Sequence, residues 1–325
     1  MTRITSKCNG HKHDELCSQC EGLKSVLKVI TREAEKVAYA NNEDRDEAVF
    51  LLASSKMAIK SWKQHLLRSS RQDQARLDIL ESLDDKSILM VDDWAMKFLP
   101  EKYRESQSNW FGKRGISWHI SVVYRRVAGV LQWQGFIHVI QSCSQDSYAV
   151  VPIVQHVLKT VKQEHSEIEK AYLRQDNAGC YHATYNLLAC PTISVSSGIK
   201  IERVDFSDPQ GGKGAADRLA ATCKNHIRMH INEGNDVTTA TQLKDALLSS
   251  GGIQGVRVVV LETIDSPKIE NEQMIPGISK LNNFKFSSKS ITAWRAYDIG
   301  KGKVLPLEKQ TAGKYFVEKI SFTCV

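Results

Sequence analysis

Two groups of side chains in this chain have the type and spacing that hold metal ions. The first is acidic. Asp92 and Asp93 close an apolar run that begins at Ile88, Asp176 closes a run from about residue 168, and Asp217 stands in the opening turn of a later helical segment. Asp208, just before Pro209, is the alternative to Asp217 as third acid. Carboxylates gathered from distant parts of a chain repel unless a cation sits between them. Oxygen ligands suit Mg²⁺ or Mn²⁺, and two such ions about 3.5–4 Å apart activate an attacking hydroxyl and steady the leaving oxygen of a phosphodiester. The second group is Cys8, His11, His13, Cys17 and Cys20. The Cys-x2-Cys pair brings two thiolates to one ion, and Cys8 with either histidine completes a tetrahedral Zn²⁺ site. The competing reading of this segment is a disordered tail with incidental Cys and His.

Those acids need strands whose ends meet. Ile88 to Val91 reads as a strand running into the acid pair, and because strand side chains alternate, Asp92 and Asp93 face opposite sides of any sheet. Residues 116–124 and 130–140 alternate as half-buried strands joined by a hairpin at Arg125–Gly129. A helix from Tyr148 to Ile168 follows, with Pro152 in its first turn. Ala171 and Leu173 mark one face of the strand that ends at Asp176, where Asn177-Ala178-Gly179 breaks the pattern. A helix from Cys180 to Leu188, a strand from Ile199 to Phe206, and a longer helix to Glu233 complete the series. The longer helix is opened by Gly211-Gly212-Lys213-Gly214 and striped by Leu219, Cys223, Ile227 and Ile231. Thr238 to Ser249 reads as another helix and Val256 to Glu262 as a buried strand.

The N-terminal region reads differently. Leu23, Val26, Leu27, Ile30, Ala34 and Val37 are spaced as on a helix; a second helix directs Val49, Leu52, Ile59, Trp62 and Leu66 to a core, and a third short one carries Leu77, Leu80 and Leu83. Lys56, Lys60, Lys63, Arg68 and Arg71 crowd this part, as the solvated face of a helical hairpin or as a DNA-facing surface or oligomerisation arm. Four parts are therefore expected: a zinc-binding segment over 1–22, a helical region over 23–85, an α/β core over 86–262 and a small β-rich unit over 263–325. The end, Phe322-Thr-Cys324-Val325, is compatible with the start of a cut-off Cys/His finger, which would make the chain a fragment or a decayed copy; the sequence leaves that open.

Composition narrows the setting. The 325 residues, 42% hydrophobic and 25% charged, describe a globular protein. A net charge of +7 tilts the choice of partner slightly towards a polyanion. The opening lacks a signal peptide's apolar core, and no apolar run approaches a membrane span, so an intracellular chain with reduced thiols and no membrane partner is expected. Gly211–Gly214 is not a phosphate-binding P-loop, since Gly214 stands where that motif needs Ser or Thr after the Lys.

An antiparallel meander followed by alternating helices and strands is the RNase H-like order, a mixed sheet with flanking helices. Asp176-Asn177-Ala178-Gly179-Cys180-Tyr181-His182, with Asp93-Trp94-Ala95-Met96-Lys97-Phe98 and Glu105-Ser-Gln107-Ser-Asn-Trp110, resembles transposon-derived animal proteins of the RNase H-like transposase and retroviral integrase superfamily. The resemblance covers residues 86–235. It implies Asp93 over Asp92 as first acid, Asp93, Asp176 and Asp217 as catalytic residues binding Mg²⁺ or Mn²⁺, Lys213 and Arg218 as contacts to DNA phosphates, and a nuclear protein that cleaves and joins DNA strands. A homo-oligomer is left open. A proofreading-type exonuclease needs Glu two residues after its first Asp, where this chain has Ala95 or Trp94. Two other readings stand beside the transposase: a domesticated or decayed DNA-binding protein without chemistry, and a plain structural one in which the acids are caps more than about 10 Å apart, too far to share a metal.

Overall fold

A computed structural model of the chain describes residues 18–208, 214–263 and 274–307. It divides into two compact units, Met1–Leu67 and Arg68–Val325. In the first, α1 (Ser18–Lys36) and α2 (Asn42–Ser82, which runs on into the second unit) are the described elements, and α1 has no buried residue. The second and third helices expected from the sequence are thus one helix of 41 residues. Nothing breaks it, because Leu67 to Arg76 contains no Gly or Pro and is rich in helix formers. Val49, Trp62 and Leu66, expected in a core, are exposed.

The second unit is α/β, built on one mixed sheet. Its strands are β1 (Ser87–Trp94), β2 (Ser117–Val127), β3 (Val130–Ser142), β4 (Lys170–Gln175), β5 (Lys200–Phe206), β6 (Val256–Thr263), β7 (Asn283–Phe286), β8 (Ser290–Trp294) and β9 (Lys303–Pro306). They lie in the order β6-β3-β2-β1-β4-β5-β7-β8-β9. β1, β2 and β3 form an antiparallel meander. Ala128 and Gly129 turn it, both with positive φ as a two-residue type I′ hairpin requires. β4 and β5 then add in parallel on the β1 side and β6 adds in parallel to β3. β7, β8 and β9 continue the same sheet antiparallel from β5. Residues 283–306, read from the sequence as part of an appended unit, therefore belong to the central sheet.

α3 (Gln107–Trp110) is a single turn between β1 and β2, and longer helices cover both faces of the sheet. α4 (Ser147–Glu164) and α5 (Thr184–Ser197) share a core with Ile88 and Met90 of β1, Leu173 of β4 and Phe284 of β7. The opposite face packs Ile120, Val122 and Val139 against Leu219, Cys223 and Ile227 of α6 (Ala215–Asn232) and Leu243 of α7 (Ala240–Leu248). Ile79 and Leu83, around the end of α2, cover Leu89. Pro152 lies one turn deeper in α4 than its expected place, because Asp146 caps the helix by accepting from Ala149 N at 3.1 Å. α5 begins at Thr184 and not at Cys180, since the loop before it is spent on a turn described below; it then runs through Pro191 to Gly198 in the left-handed region.

Candidate active site

Asp93 and Asp176 meet because β1 and β4 are parallel neighbours. Asp92 registers with Gln175, so the next residues, Asp93 and Asp176, leave the two carboxyl ends side by side. Adjacent strands lie about 4.8 Å apart. Asp92, on the other face, is buried and accepts from Gln175 Nε2 at 3.3 Å. Burial pushes its carboxyl up to about 7, against the pull of Ser121 and Gln175, with the Asp93 charge adding a little. The alternation read from sequence thus holds, with Asp93 on the α6 side.

Asp217 arrives on α6. It is the third residue of that helix, and its Oδ2 accepts from Gly214 N at 2.8 Å, capping its own helix where the dipole favours a negative charge. The Asp93 carboxyl registers all this: burial raises it, and the charges of Asp176 and Asp217 raise it further, to about 7. Three acids from three elements therefore share one electrostatic environment. Ser207 Oγ donates to Asp176 Oδ1 at 3.3 Å. Asp208, the alternative third acid, is buried and paired with Arg68 at 3.2 Å.

The loop after Asp176 is held from inside. Tyr181 N and His182 N both donate to Ala178 O, and Asn186 of α5 donates its side-chain amide to the carbonyls of Cys180 and Tyr181 at 2.7 and 2.8 Å. His182 stacks on Phe206, with ring centroids 4.2 Å apart. Cys180 is pushed up to about 11 by burial, the Asp176 and Asp93 charges contributing, so it remains a thiol beside the acids. Tyr181 is raised well above its ordinary value by burial and then by Asp92 and Asp93. Sequence reasoning missed the parts played by Asn186, Cys180 and Tyr181, though the latter two lie in the motif that follows Asp176.

Among the described residues, no three or more His, Cys, Asp and Glu side chains are arranged to hold a metal ion. Arg218 is exposed next to Asp217. Lys213 lies outside the described residues, as do Cys8, His11, His13, Cys17 and the terminal stretch with Cys324; Cys20 is half-buried on α1. No described helix is long and apolar enough to cross a membrane.

A family model described as "Domain of unknown function (DUF8701)" matches residues 72–294, well over half of the chain. The chain belongs to the DUF8701 family. The DUF8701 match takes in all three acids and every strand but β9. No curated protein matches the chain. One solved structure, "Crystal structure of NurA bound to dAMP and manganese", is similar at 11% identity with a TM-score of 0.16, over 62% of this chain. The match spans 42% of that chain. A likeness so weak carries no weight for fold or function.

Proposed function

We propose that this DUF8701 chain is an RNase H-like, metal-dependent enzyme of phosphoryl transfer on DNA, of the transposase kind. The observation that carries the reading is the parallel register of β1 and β4, which sets Asp93 beside Asp176, with the Asp217 charge also felt at Asp93. The meander and the parallel strands beside it support the fold half of the reading, since the acids then stand on the first strand, after the fourth and on a later helix.

The donor set is all carboxylate, which fits Mg²⁺ or Mn²⁺, and Asp93, Asp176 and Asp217 would hold the ion. When bound, such an ion lowers the pKa of an attacking hydroxyl and neutralises charge on the phosphate. The residues themselves do the rest. Burial and the neighbouring charges push the Asp93 carboxyl up to about 7, and positive charge entering the site would draw its proton off. Ser207 steadies Asp176, and Asn186 fixes the loop that follows it. Asp217 accepts from Gly214 N through Oδ2, so Oδ1 would be the oxygen it offers to an ion. Arg218 and Lys213 would meet DNA phosphates, and the Cys8–Cys20 segment would take structural Zn²⁺.

A second reading is a DNA-binding protein without chemistry. It is favoured by Asp217, whose carboxylate is engaged in its own helix cap, and by the lack of a ready ligand triad among the described residues. Mn²⁺-dependent nicking of supercoiled plasmid by the purified chain separates the two. We expect nicking that Asp93→Ala and Asp176→Ala each reduce by at least about 10²-fold, as removal of a group that stabilises the transition state does. Nicking indifferent to both substitutions overturns the site, and DNA binding without nicking moves the chain to the second reading.

A further inference from the structure

We propose that α2 pairs antiparallel with α2 of a second copy of this chain, across a seam centred between Ala53 and Ser54.

The seam is visible in the side chains that α2 leaves outside. Glu47, Phe50, Ala53, Ser54, Met57 and Lys60 recur at three and four along one face, and all six are exposed. Phe50 is 69% and Met57 66% exposed, large apolar side chains for open water. The opposite side of the helix, through Leu52, Lys56, Ile59 and Lys63, is partly covered. The two sides of α2 therefore differ, and among the described residues it is the face of Phe50 and Met57 that lies open.

The pattern selects its own occupant. An antiparallel copy about a twofold axis between Ala53 and Ser54 sets residue 50 against residue 57 and residue 47 against residue 60. Phe50 then meets Met57 of the second copy, a sulfur-to-ring contact, and it does so twice. Glu47 meets Lys60 of the second copy, also twice, so opposite charges flank the apolar pairs as at the edges of a coiled-coil seam. Ala53 and Ser54 are small, and at the axis they let the two backbones approach. A parallel copy sets Glu47 beside Glu47 and Lys60 beside Lys60 and is disfavoured. Residues 1–17 are a poor substitute, since their large apolar side chains are Met1, Ile4 and Leu16 alone. DNA offers charge but no apolar face to match Phe50 and Met57. The twofold contact is self-complementary, as a closed dimer requires.

The test is sedimentation equilibrium of the full chain from low to high micromolar concentration. We expect a concentration-dependent dimer. Glu47→Lys alone, which sets four lysines around the axis, and Lys60→Glu alone, which sets four glutamates there, should each weaken it at least about tenfold. The double variant Glu47→Lys/Lys60→Glu should restore it, and this rescue distinguishes the pairing from simple damage to the helix. Phe50→Asp should abolish it with the circular dichroism of the helices unchanged. A monomer at every concentration, or a dimer unmoved by the charge reversals, overturns the proposal.

Discussion

At the scale of single residues, the chain places a carboxyl where it is costly. Asp93 is half-buried among like charges and is pushed up to about 7 from an ordinary value of 3.8. The folded state therefore holds the proton more tightly than the unfolded one, and ionising Asp93 costs stability as pH rises from about 4 to about 7. Asp93→Asn removes that cost. It should raise Tm at pH 8 and leave it nearly unchanged at pH 4, with a gain of about 2 kcal/mol once screening of the partly exposed carboxyl is allowed for. Thermal melts at the two pH values check this, and an equal shift at both would refute an ionisation cost at Asp93, which burial sets first and the Asp176 and Asp217 charges add to. The acid pair, the break at Asn177 and the acid in the first turn of α6 are all visible in the sequence. Asp208 was not separable from Asp217 there, because its pairing with Arg68 spans 140 positions of chain.

At the scale of elements, the site depends on how α5 holds the loop behind Asp176. Asn186 is nearly buried and gives both amide hydrogens to that loop. Asn186→Ala strands two carbonyls. We expect a loss of about 1–3 kcal/mol in urea unfolding, and hydrogen exchange should speed up at Cys180 to His182 while β1 stays protected. The periodicities located most helices and strands of the core, because burial on one face leaves a mark at every third, fourth or second residue. It failed at the start of α5, where Cys180 and Tyr181 look helical by composition but are committed to a turn by Ala178 O and Asn186. It failed again in α2, where the apolar positions read as two helices and the chain forms one.

At the scale of the whole molecule, the C-terminal strands are structural partners of the second unit's core. Phe284 of β7 is fully buried and packs edge to face with Phe206 of β5, centroids 5.8 Å apart. Phe284→Ala should cost about 3–5 kcal/mol, and fluorescence and circular dichroism should report a single coincident transition for the second unit. Separate transitions would mean that β7 to β9 fold apart from the rest. By itself the sequence determined the α/β class, the meander, the helices of the core, the strand end at Asp176 and the opposite facing of Asp92 and Asp93, since each follows from local periodicity or from the alternation of a strand. Tertiary structure alone decided the rest. Strand order brought Asp93 beside Asp176, the packing of α6 set Asp217 near them, Arg68 occupied Asp208, and β7 extended the sheet from β5. Those outcomes depend on contacts between residues far apart in the chain, and no local pattern records which distant segments a face will meet.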